Sequence, residues 1–187
     1  VSQFDYLAVL ISIVLGLGIA NVLSGFGAIV QARARLKLYA PTFFHMANIF
    51  VIHVQMWWTM FGLREIRHWN FAQFLVVLMQ PVLVYLMSVF IVPTIPPEGP
   101  VDLKELYFRE HGWFSGGLML TILDSLARNV AVGGHLPETP DLVAHGVFFV
   151  FGAVGLISKS SRVHNILAPA VSVLLAIYVG ALFANLR

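Results

Sequence analysis

WFSGGLMLTILDSLARNVAV, residues 113–132, is the stretch on which the reading of this chain turns. Its twenty residues are long and apolar enough for a membrane helix, yet they include Asp124 and Arg128. Thr121, Asp124, Ser125 and Arg128 stand at i, i+3, i+4 and i+7, so a helix carries them on one face. In a bilayer such a face must look at other helices, at trapped water or at a partner. Asp124 is the twelfth residue of the stretch, close to its middle, where an ionised carboxylate has to be paired, hydrated or protonated. Arg128 lies four residues further on, about 6 Å along the axis, and is placed to pair with Asp124 or to reach outward.

The surrounding composition supports a lipid setting. Of 187 residues, 59% are hydrophobic and 11% charged, and the mean hydropathy is +0.86. Soluble domains carry about 25% charged residues, so a water-soluble fold is not expected. The absence of cysteine excludes disulfides, thiolate metal sites, iron–sulfur clusters and cysteine nucleophiles. A net charge of +2 is too small to suggest a nucleic-acid partner. The start of the chain lacks a basic leader region, so the first apolar run is expected to be retained.

The expected fold is all-α: a polytopic membrane protein, one domain over 1–187, built as a bundle of six transmembrane helices. The predicted spans are 4–30, 41–61, 71–92, 113–132, 142–158 and 165–186. Span one is rich in small residues, and Gly16 to Ala20 and Asn21 to Gly25 approximate the spacing that lets helices approach closely, with Asn21 available to bond across the contact. Pro41 suits the first turn of span two. In that span His45, Asn48, Gln55 and Thr59 share a stripe about 80° wide, and His53 sits apart from it. Span three carries Gln80–Pro81 at its centre, where the proline leaves the carbonyl of Val77 free. The proline-rich PTIPPEGP, 93–100, reads as a stiff linker. After it Asp102 is expected to cap a short interfacial helix reaching Arg109, with Leu103, Leu106 and Tyr107 toward the bilayer surface.

Charge sets an orientation. The links after spans one, three and five hold Arg33, Arg35, Lys37, Lys104, Arg109, Lys159 and Arg162, against Arg64, Arg67, Arg128 and Arg187 on the other side. Seven against four places the first set in the cytoplasm and both termini on the non-cytoplasmic face. The opening FDYLAVLISIVLGLGIANVL, 4–23, is similar to small bacterial membrane proteins over that one span, with no motif that implies a function, and a bacterial inner membrane is the expected location.

Zinc-protease, nucleophile-elbow, Walker and Rossmann signatures are all missing, and no link is long enough to build a site for a soluble substrate. No catalytic residue is therefore assigned, and no ligand spacing points to a metal. Hydrolysis inside the membrane would need a Ser–His pair or two aspartates, and Asp124 is the one acid firmly within a span. Three histidines lie within spans, and only His53 and His145 approach a matching depth for the axial ligands of a haem. The first functional expectation is a pore or transport protein for an ion or small solute. Asp124 and Arg128 are its central charges; Thr121, Ser125, His45, Asn48, Gln55 and Gln80 line its path. The alternative is a non-catalytic accessory subunit of a larger membrane complex, and a haem- or quinone-binding redox subunit stands third. A homo-oligomer or a larger complex in the lipid bilayer is the expected assembly.

Overall fold

The computed structural model describes residues 3–66 and 68–182. Within them the chain forms six α-helices: α1 (Gln3–Ala32), α2 (Ala40–Thr59), α3 (Phe71–Ile91), α4 (Leu103–Arg128), α5 (Thr139–Ile157) and α6 (Ser161–Leu182). The expected end of the sixth span at 186 lies outside the described residues, as do Arg67 and Arg187. Two short strands, β1 (Leu36–Lys37) and β2 (Val101–Asp102), pair in parallel with Leu36 opposite Val101.

Four helices, α1, α3, α5 and α6, are long and apolar enough to cross a membrane. The 21 residues of α3 reach about 32 Å at 1.5 Å per residue, which matches a hydrocarbon core of about 30 Å. The 20 residues of α2 and the 26 of α4 fall short of this standard in composition, not in length. His45, Asn48, His53 and Gln55 dilute α2; Lys104, Glu105, Arg109, Glu110, Asp124 and Arg128 dilute α4.

The helices close into a ring. Going round, α2 packs on α3, α3 on α4, α4 on α5, α5 on α6, and α6 returns to α2, while α1 leans from outside on α2 and α3. The inner face of α1 is Ile11, Leu15, Gly18, Val22, Gly25, Ile29 and Ala32, a strict alternation of four and three residues. That period keeps one seam against a partner along the whole helix. Two glycines of the seam admit neighbours: a Cβ at Gly18 would meet His53 at 1.9 Å, and one at Gly25 would meet Val92 at 2.2 Å. Asn21 donates to Ser88 Oγ on α3 at 3.1 Å, the expected bond across this contact. The expected pairing of Gly16 with Ala20 is not used, since both lie on the outward face.

The separate interfacial helix is corrected. Residues 103–128 form one uninterrupted helix, because Gly112 is the only poor helix former between Arg109 and Phe114 and a single glycine costs only about 1 kcal/mol. Asp102 does cap it, accepting from Lys104 N at 2.8 Å. Leu103 and Tyr107 are buried rather than laid on a surface. Tyr107 shares a hydrogen bond of 2.8 Å with His164 Nδ1 on α6. The proline-rich link is held at its carbonyls: Arg35 donates to Pro96 O at 2.6 Å and to Gly99 O at 3.0 Å. Lys37 and Asp102 pair at 2.8 Å across the strands. That hydrogen bond raises the Lys37 pKa and lowers that of Asp102. At the far end of α4 a π-helical turn, Asn129–Gly133, leads into Gly134, whose φ of 74° is the left-handed region that favours glycine.

Candidate functional site

Helix α4 turns Thr121, Ser125 and Arg128 into the ring, where they line a cavity of about 270 Å³. Every other ring helix adds hydrogen-bonding groups: Gln55 and Thr59 from α2, Gln80 from α3, Asp141 and His145 from α5, and Tyr178 from α6. Asn129, in the turn after α4, completes the polar wall. Ile52, Met56, Leu118, Ile122, Phe148 and Leu175 form the rest.

A chain of hydrogen bonds runs along one side. Tyr178 Oη donates to Asp141 Oδ1 at 2.8 Å. His145 Nδ1 lies 2.7 Å from the Asp141 carbonyl and 3.1 Å from Asp141 Oδ1. With two oxygens before it, Nδ1 carries the proton of the neutral ring, and Nε2 is left to accept. Ser125 Oγ stands 2.9 Å from Nε2 and donates to it. Asn129 Nδ2 donates to the Ser125 carbonyl at 2.9 Å. The order Ser125, His145, Asp141 is that of an activated serine. It lacks one part: the backbone N–H groups around Ser125 are spent inside α4, so no backbone oxyanion hole faces its Oγ. The chain is suited to holding and passing a proton.

Arg128 is the cation of the cavity. It lies within electrostatic range of Asp124, Asp141 and Tyr178. Among the described residues it makes no hydrogen bond and no ion pair within 4 Å. Its donors are therefore open to whatever fills the cavity. It also reaches a small second cavity lined by Val77, Gln80 and Pro81.

The expected acid–base couple is thus not formed. Asp124 does not line the cavity. It is half-buried on the flank of α4, with Oδ2 buried and without a hydrogen-bond partner. Helical geometry explains the split: residue 124 is about 60° round the axis from 121 and 100° from 125, so a face that is continuous on paper divides at a helix–helix boundary.

Depth divides the α2 stripe in the same way. Gln55 reaches the cavity, but His45 lies ten residues earlier, about 15 Å away along the axis. Its ring sits instead among aromatics, with centroids 4.8 Å from Phe114 and 6.0 Å from Tyr107. Asn48 is buried outside the cavity, its Nδ2 unpartnered. His53 is fully buried with Nδ1 on the Ile49 carbonyl at 2.7 Å and Nε2 toward Gly18, away from the cavity that His145 lines. This placement gives no support to the two histidines as joint haem ligands. Among the described residues no cluster of three or more His, Asp or Glu is arranged to hold a metal ion.

Asp141, Tyr178 and Asn129 escaped sequence reading. Asp141 marks the start of span five in the sequence, and only its i, i+4 spacing to His145 hints at a pair. Tyr178 offers no such signal, because its partner is 37 residues away. The chain matches no protein family, no curated protein and no solved structure.

Proposed function

We propose that this chain is a small membrane transport protein, with six crossings and a solute path through the ring formed by α2 to α6. The observation that supports it most is the Arg128 guanidinium, open and unpaired in a cavity to which five helices each bring hydrogen-bonding side chains. A half-buried guanidinium whose N–H groups have no hydrogen-bond acceptor among the described residues is costly, and a solute that accepts from them offsets that cost. In the six-crossing arrangement the cavity lies toward the face that holds the chain's N-terminus, which the Lys/Arg balance puts outside the cytoplasm. The polar character that keeps α2 and α4 below the hydropathy of a simple span is then the character of the path.

The test is flux in proteoliposomes with the wild type and Arg128→Gln. Loss of flux in the variant, with unchanged elution from a sizing column, is the expected result. Equal flux in the two removes the proposal.

A second reading, an accessory subunit or self-associating protein, draws on Asp124. A carboxylate on the flank of a membrane helix, with a buried and unpartnered oxygen, calls for a donor from another chain. Native mass spectrometry in mild detergent separates the possibilities: a monomer with no partner leaves Asp124 unexplained and counts against this reading.

A further inference from the structure

We infer that the cavity takes a small oxyanion, of which a monocarboxylate is the simplest, together with one proton that His145 receives. The inference rests on the transport reading and adds the chemical class of the cargo and its coupling. It begins from charge. Arg128 and Asp141 balance each other in the cavity, and the hydrogen bonds around His145 are those of its neutral ring. The other ionisable groups are the Tyr178 phenol, which α6 brings to the cavity, and Asp124 on the flank of α4, within electrostatic range of Arg128, while α2 and α3 contribute only the neutral Gln55, Thr59 and Gln80. An anion entering alone leaves one uncompensated negative charge in a poorly solvated space, which is expensive. A proton arriving with it restores the balance.

His145 is built to take that proton. Histidine is the side chain whose ordinary titration falls near neutral pH. The imidazolium formed here has Asp141 Oδ1 at 3.1 Å to hold it. Protonation also reverses one hydrogen bond. Nε2 becomes a donor to Ser125 Oγ, 2.9 Å away, so the Ser125 hydroxyl hydrogen is released from the ring and turns toward the cavity. One proton thus adds a positive charge and frees a donor for the ligand. Arg128 supplies the planar fork that matches a carboxylate. The volume, about 270 Å³, equals roughly nine waters at about 30 Å³ each, which suits an anion of a few carbons rather than a lipid headgroup. Nothing covalent happens: the proton and the anion enter and leave together.

The experiment uses the full chain in proteoliposomes loaded with a pH-sensitive dye, with labelled pyruvate outside and labelled glycerol as a neutral comparison. The expected result is pyruvate uptake with acidification of the lumen, about one proton per anion, and rates that rise as the outside pH falls from about 8 to 5.5. His145→Gln is expected to lose about tenfold of the uptake at acid pH and to flatten the profile. Ser125→Ala is expected to raise the half-saturating pyruvate concentration while keeping the proton count. Pyruvate uptake without acidification overturns the inference and leaves the transport proposal standing. So does glycerol passage with no pyruvate uptake. Absence of both fluxes overturns the two together. A His145→Gln protein that elutes as an aggregate is replaced by the wild-type proton count and the Ser125→Ala measurement, which decide the matter without it.

Discussion

Replacing Gly18 by alanine puts a methyl carbon 1.9 Å from Nε2 of His53, with two more ring carbons at 2.6 and 2.7 Å. Ordinary van der Waals contact begins at 3.4 Å, so the ring has to retreat by about 1.5 Å. It has little room to do so, because His53 is fully buried and its Nδ1 is tied to the Ile49 carbonyl at 2.7 Å. Overpacking of this kind costs ~1–3 kcal/mol, against which alanine returns up to ~1 kcal/mol of helix propensity. Because the ring is buried and tied, the clash belongs to the upper part of that range, ~2–3 kcal/mol, and the net loss of about 1–2 kcal/mol corresponds to a fall of roughly 2–8 °C in melting temperature for a chain of this length. His53→Ala alone leaves a hole and is expected to cost ~2–3 kcal/mol. In the double variant the new methyl occupies that hole, so the two losses do not add, and the coupling is about 1–3 kcal/mol. The assay is the thermal midpoint in detergent, read at one scan rate by the fraction that still elutes as a sharp peak. If Gly18→Ala melts with the wild type, or costs the same whether or not His53 is present, the α1 seam is not packed as described.

Two further outcomes follow from the site and from the loop face. Asp124→Asn is expected to leave flux within about twofold of the wild type while Arg128→Gln abolishes it, because only Arg128 lines the cavity; a larger effect at Asp124 than at Arg128 reverses the assignment. The Lys37–Asp102 pair holds the proline-rich link through opposite titration limits. The lowered Asp102 carboxyl contributes stability above its ordinary value of 3.8, which is lost as pH falls through its still lower folded value. The raised Lys37 contributes below its ordinary 10.5, and that share is lost as pH rises through its higher folded value. Protease cleavage within 93–100 is therefore expected to stay constant from about pH 5 to 9. Asp102→Ala is expected to cleave about fivefold faster, the factor for a lost cap worth ~1 kcal/mol. Equal cleavage of the variant and the wild type removes the clamp from the account.

Helix identity was legible in this chain because long apolar runs between polar links leave little choice, and the start of α2, at Ala40 with Pro41 in the first turn, followed to within one residue from the proline. Where a helix stops was less legible. The predicted span opens at Trp113, but nothing in REHGW breaks the backbone, so α4 begins ten residues earlier at Leu103. The site was readable in angle and not in depth or neighbour. Thr121, Ser125 and Arg128 do share a face, and Gln55 and Gln80 do meet them. His45 lies on the same stripe as Gln55 yet belongs to the opposite end of the bundle. The acid that completes the His145 chain comes from 141, because which carboxylate a helix meets depends on packing partners that no periodicity records.

The ring also has a history in time. Helix α6, the last of the six in chain order, is the one that closes the circle by reaching back to α2. Until it docks, Gln55 and Arg128 border an open slot that lacks its α6 side. Completion of this wall therefore waits on α6, and a chain cut short before Ser161 would leave its polar lining uncovered.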